Sequence, residues 1–364
     1  MNFGYVFPWD IVGDPAAPER LAATGVDAIA LAVSYHSTRA ATPFHPAHRV
    51  LEVSHSAFYL PVRRSAFGAL VPRNLSWTAP DAFIQARDAL RAAGLPVHAW
   101  TVLTHNSLLG DAHPGLTVRN AFGDMYPHAL CPAHEDVVEY CARLVAEVAE
   151  LGEPDGIILE ACGPMGVTHQ SVHDKTPAAD WDPTQAALLS LCFCTACVRK
   201  YPDTLRARVR AAVDAPAPDS SLEGVLGELA GPVREARLNL TATLLHSVTA
   251  ATNLSIRLHA SADPWATGSF SPLTDSTSGR GLGGVVALCW GSDEEATANV
   301  AQLVEPGRRL GAYTTILPPK AVCPESLGRT FRALGEAGAD ELHVYHLGLA
   351  SPGRLAALAG ALKG

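Results

Sequence analysis

The sequence predicts an α/β fold: a single (β/α)8 TIM barrel domain spanning residues 1–364, with loop insertions at the C-terminal face of its strands. Three observations predict it. Eight short apolar runs recur along the chain, nearly every interval between them carries a helical pattern, and a helical segment closes the chain. Continuous apolar runs suit strands buried on both faces of a parallel sheet. Repeated alternation of strand and helix over this length suits a barrel. An open doubly wound sheet often carries a glycine-rich first turn. Here that turn is Pro8-Trp9-Asp10, and Gly281-Leu282-Gly283-Gly284 precedes a strand instead of following one.

Taken in order, strand one is Phe3 to Phe7, with a helix near Pro18 to Thr24. Strand two is Asp27 to Ser34, and Tyr35 and His36 sit at its C-terminal end. An insertion of about residues 37–78 follows, carrying His45, His48, His55, Arg63 and Arg64; its alternating segment Val50 to Leu60 reads as a hairpin. Pro80 to Ala93 reads as a helix, with Pro in the first turn, apolar Phe83, Ile84 and Leu90, and Gly94 as the stop. Strand three, Val97 to Leu103, ends at Thr104-His105-Asn106 and leads into a polar loop, Asp111 to Leu130. After Cys131-Pro132 comes a helix, Glu135 to Leu151, whose Val137, Val138, Cys141, Leu144 and Val145 share one face. Strand four is Asp155 to Glu160. Helical elaboration fills about residues 198–251, broken by a Pro/Asp/Ser patch near Ala215 to Ser221. Strands five to eight are Leu254 to His259, Val285 to Trp290, Gly311 to Leu317 and Leu342 to Leu347. Helices at Asp293 to Val304, Pro324 to Gly338 and Gly353 to Leu362 complete the repeat.

With 48% hydrophobic residues in 364, the chain can bury a large core. A net charge of -9 argues against nucleic acid or an anionic membrane as its main partner. The N-terminus has no basic, apolar leader pattern, and no apolar run approaches the ~18 residues of a membrane span. The expected compartment is therefore the cytoplasm, where thiols stay reduced. Assembly into a homo-oligomer is left open.

Barrel enzymes place their reacting groups at the C-terminal ends of the strands. There the chain puts Trp9 and Asp10, Tyr35 and His36, His105 and Asn106, Glu160, His259 and Asp263, Trp290 and Asp293, and Tyr345 and His346. Rings, imidazoles and carboxylates around one rim suit a polar ligand with apolar faces, such as a sugar. Glu160 follows four apolar residues without a turn, so burial is expected to raise its pKa and fit it for general acid/base work. Lys175 is the nearest cation in sequence to neutralise it in a purely structural role. The loop His169-Gln170-Ser171-Val172-His173-Asp174-Lys175 offers His169, His173 and Lys175 as substrate-binding side chains; its flanking Gly and Pro disfavour the helix that would aim both imidazoles at one metal.

Cys192-Phe193-Cys194-Thr195-Ala196-Cys197 cannot form one helical face, because residues two apart point away from each other. Three converging thiols in a reducing compartment suggest a structural zinc, which needs a fourth ligand. Cys131 is the natural donor, with His134 and Cys162 in reserve; Cys141, Cys289 and Cys323 read as ordinary buried thiols.

Across roughly residues 100 to 200 the chain resembles the family 42 β-galactosidases of the clan A glycoside hydrolases. Those carry a cysteine-zinc cluster built from a Cys-Pro at a helix start and a Cys-x-Cys-x-x-Cys after strand four, matched here by Cys131-Pro132 and Cys192, Cys194 and Cys197. The resemblance implies a glycosidase-like hydrolase acting on a small carbohydrate, with Glu160 as the acid/base. It departs from the family in having Leu159 where an Asn precedes that Glu, and in a longer interval before the knuckle. Strand seven ends in Thr314-Thr315-Ile316-Leu317-Pro318-Pro319, without the family's nucleophilic Glu. A two-carboxylate hydrolysis then needs its partner from Asp263 or Asp293, with Asp10 a further source. The alternatives are a metal-dependent lyase or isomerase on a sugar or keto-sugar, and a non-catalytic carbohydrate-binding barrel.

Overall fold

Eight strands close into a wholly parallel barrel: β1 (Asn2–Val6), β2 (Ala28–Tyr35), β3 (Val97–Val102), β4 (Gly156–Glu160), β5 (Ile256–Ser261), β6 (Gly284–Leu288), β7 (Arg309–Thr315) and β8 (Glu341–Tyr345). Each pairs with the next, and β8 returns to β1 with Asn2 opposite Leu342 and Gly4 opposite Val344. All eight expected strands are present. Runs such as Ala28–Val33 and Ile157–Leu159 have no solvent exposure, because helices cover the outer face and side chains fill the inner one. The computed structural model describes residues 1–170, 172–215, 221–273, 281–320 and 322–363.

The outer layer consists of α1 (Ala17–Ala22), α2 (Ala82–Ala92), α3 (Glu135–Gly152), α4 (Ala230–Ala250), α5 (Asp293–Ala301), α6 (Pro324–Glu336) and α7 (Pro352–Lys363). Shorter helices, Leu205–Asp214 and Leu222–Leu226, precede α4. Most of the Pro/Asp/Ser patch, residues 216–220, lies outside the described residues. No helix among the described residues is long and apolar enough to cross a membrane.

Three local expectations are corrected. Val50 to Leu60 is not a hairpin: Val50–Val53 pairs antiparallel with Thr38–Ala41, and Ala57–Phe58 pairs with Ser34 and Tyr35 of β2. Alternation marks a half-buried strand without naming its partner. The polar loop after β3 is more ordered than expected. It holds a helix, Ser107–Ala112, and an antiparallel pair, Thr117–Arg119 with Met125–Leu130. Asn120 fixes the intervening turn by accepting from the backbone N–H groups of Phe122, Gly123 and Asp124. Cys323 is exposed, because it caps α6, its sulfur accepting from the Ser326 N–H.

Candidate active site

Glu160 ends β4 with its side chain in the barrel mouth, and only 4% of the residue is exposed. The indole N–H of Trp100, on neighbouring β3, donates to Oε2 at 2.8 Å. His169 Nε2 stands 3.7 Å from Oε1, and His259 Nδ1 stands 3.8 Å from Oε2. Burial pushes the carboxyl pKa up, but His169, with His259 and His36 nearby, outweighs it, so the net direction is down. The expected rise is thus reversed, a direction that favours the carboxylate form, which accepts a proton or stabilises a cation. Lys175 does not neutralise it; its ammonium contacts His173 Nε2 at 3.1 Å.

Below Glu160 a polar chain runs down the barrel interior. His259 Nε2 and Tyr5 OH are hydrogen-bonded at 3.0 Å, and Tyr5 OH and His343 Nδ1 at 2.9 Å. His343 Nε2 faces Glu341 Oε2 at 3.5 Å, and Arg257 donates twice to Glu341, each at 2.7 Å. Burial drives the His259 pKa down to about 4 despite Glu160, so this imidazole is neutral at physiological pH. The sequence reading missed Trp100, Tyr5, His343, Glu341 and Arg257. Their signal is a period of two: His98 and Trp100, Arg257 and His259, and Glu341 and His343 sit at alternate positions of otherwise apolar strands, which places them on one strand face.

Around the mouth, His36 stacks on His105 with ring centroids 4.2 Å apart, and His169 lies 5.2 Å from His105. One nitrogen from each of these three imidazoles falls within 4.8 Å of the others. Trp290, 43% exposed, stacks on Tyr313 and borders Tyr345, giving an aromatic wall on the β6–β8 side. A cavity of ≈ 300 Å³ opens beside His169, lined also by Ser261, Thr267, Phe270, Leu288 and Asn299. A larger one, ≈ 590 Å³, lies between the β1–α1 connection and α2, and none of the strand-end imidazoles lines it.

The other sequence-selected residues have contacts of their own. Trp9 is buried against Phe7, and so is His346. Asp10 is buried, accepts from the Phe7 N–H at 2.8 Å and is pushed up to about 7 by burial, against the Phe7 hydrogen bond and the Arg20 charge. Asn106 caps the helix that follows it, accepting from the Leu109 N–H. Asp263 is exposed and accepts from the Trp265 N–H, while Asp293, in the first turn of α5, accepts from Thr330 Oγ1. His173 is exposed on its loop.

The cysteine cluster lies to one side. Cys131 Sγ is 3.6 Å from that of Cys197 and 3.7 Å from those of Cys192 and Cys194, all buried. Tetrahedral zinc–thiolate bonds of about 2.3 Å put sulfurs roughly 3.8 Å apart, so the four thiols match a metal-holding shell. Cys162 lies outside this group.

No protein-family model matches the chain, and no curated protein matches it in sequence. Among solved structures it is similar to the PgaB (BpsB) glycoside hydrolase domain from Bordetella bronchiseptica, with 16% identity and a TM-score of 0.59 over 99% of this chain and 98% of that one. It is also similar to alpha-L-fucosidase isoenzyme 2 from Paenibacillus thiaminolyticus (13%, TM-score 0.58, 100% of this chain and 49% of that one). A third is Gan42B, a GH42 beta-galactosidase from G. stearothermophilus (15%, TM-score 0.56, 100% and 56%). The chain thus spans about half the length of the last two. These structural neighbours are glycoside hydrolases, and at such identities the likeness establishes the barrel.

Proposed function

We propose that the chain is a glycoside hydrolase-like enzyme acting on a small carbohydrate, with Glu160 as its reacting carboxylate. The observation that carries this reading is Glu160 itself: a buried carboxylate on a strand end, held by the Trp100 indole and flanked by His169 and His259. The Trp290–Tyr313 wall suits the apolar face of a sugar ring, and the fold is one that glycoside hydrolases use. In this reading Glu160 acts as the base that takes a proton from water or a sugar hydroxyl. The hydrogen bonds of Asp263 and Asp293 give neither a link to Glu160. Cys131, Cys192, Cys194 and Cys197 hold a structural zinc that clamps the loop after β4.

The test is hydrolysis of a panel of aryl glycosides and oligosaccharides by the wild type and Glu160→Gln. The expected loss is on the order of 10²–10⁴-fold in kcat/KM. Equal rates would remove Glu160 from the chemistry, and sugar binding without turnover by the wild type would leave the non-catalytic barrel. A second reading, the metal-dependent lyase or isomerase, is favoured by the gathering of His36, His105 and His169, since a cation there would polarise a substrate carbonyl.

A further inference from the structure

We propose that His36, His105 and His169, with Glu160 beside them, form a divalent transition-metal site in the barrel mouth, separate from the cysteine cluster. The donors come from the ends of three consecutive strands: His36 follows β2, His105 follows β3, and His169 lies in the loop after β4, which itself ends at Glu160. Their ligand atoms already lie within 4.8 Å of one another, and Glu160 Oε1 is 3.7 Å from His169 Nε2. Imidazole nitrogens sit about 2.0–2.1 Å from such an ion, so neighbouring donors stand roughly 3.0–3.5 Å apart. A contraction of about an ångström completes the shell. His105 is buried, His36 half-buried and His169 exposed, so His169 is the ring with most room to move.

Two features prepare the residues for this role. His36 Nδ1 donates to the Ser37 carbonyl at 2.8 Å, which sets the tautomer of that ring. Metal-binding histidines commonly fix their tautomer this way. His169 holds a left-handed backbone, φ 60°, seldom adopted by a non-glycine residue. Gly268 packs beneath it, where an added Cβ would come 3.2 Å from the His169 Cβ. Backbone strain of this kind is kept where surroundings impose it, and here it presents the imidazole to Glu160.

Three imidazoles suit zinc, cobalt, nickel or iron rather than magnesium or calcium. The cavity at His169 is lined also by Ser261, Thr267 and Asn299 and gives room for water or a ligand beside that imidazole. The ligand class is therefore a polyhydroxylated molecule that gives one oxygen to the ion and others to these side chains. Only this ligand assignment rests on the carbohydrate reading; the ion site stands without it.

The test is cobalt titration of the full chain by visible absorption, with the cysteine cluster identified by its thiolate charge-transfer bands. A second cobalt lacking those bands is expected, and His169→Ala, an exposed substitution that spares folding, should weaken it on the order of 100-fold. His36→Ala should do the same, and neither should change the thiolate-bound cobalt. Binding confined to the thiolate site, or a second site untouched by both substitutions, overturns the proposal. A chain that binds the second cobalt and turns over no sugar loses the carbohydrate reading alone. Turnover without a second cobalt loses the ion site alone.

Discussion

Asp10 shows how far a single carboxyl can depart from its type. It is buried at the end of β1, and burial lifts its pKa from 3.8 to about 7, with only the Phe7 N–H and Arg20 opposing. A raised folded-state value gives stability that is fully present below the unfolded pKa and lost as pH rises through the folded one. The loss therefore falls between about pH 4 and pH 7 and reaches at most roughly 4 kcal/mol. Asp10→Asn should flatten that dependence and be the more stable protein at pH 8, as read by urea unfolding at pH 5 and pH 8. Glu160 behaves oppositely, because donors surround it. Trp100→Phe keeps a ring in place but removes the indole N–H, so the acidic limb of the pH–rate profile should move upward as Glu160 becomes easier to protonate.

At the scale of elements, the barrel interior depends on polar side chains that pair from one strand to another across it. Tyr5 on β1 joins His259 on β5 to His343 on β8 through one hydroxyl. Tyr5→Phe orphans buried imidazole nitrogens at roughly 1–3 kcal/mol each, measurable as a lower urea midpoint with an unchanged m-value. Gly311 on β7 makes room for the same network: a Cβ there would come 2.5 Å from His343 Cδ2. Gly311→Ala should cost about 1–3 kcal/mol through overpacking, measured in the same experiment. Tyr5 also packs edge-on against the Trp100 and Tyr313 rings of the mouth.

At the scale of the molecule, long-range ties hold the β4 loop against the barrel. Cys131, at the start of the α3 segment, meets Cys197 across 66 residues. Arg237 on α4 holds the loop after β5 by donating to the carbonyls of Trp265 and Ala266. Removing the metal expected at the cysteines with a thiol-directed reagent, or making Cys194→Ser, should lower the melting temperature and expose the β4 loop to proteolysis. A weak chelator that spares the thiolates should do neither.

What the sequence determined by itself was the repeated element order, the eight strands, the place of Glu160 on a strand end and the cysteines that cluster. These are local signals. Apolar runs specify buried strands, and three thiols within six residues converge only where the backbone turns. Only the tertiary structure decided that Val50–Val53 pairs with Thr38–Ala41, that the neighbours of Glu160 hold its pKa down, and that His36, His105 and His169 share one mouth. It also decided that Tyr5 meets His343, a contact 338 residues apart in sequence. Charge state and convergence depend on which strand ends the closed barrel brings together, and no periodicity within one strand encodes its neighbour's side chain.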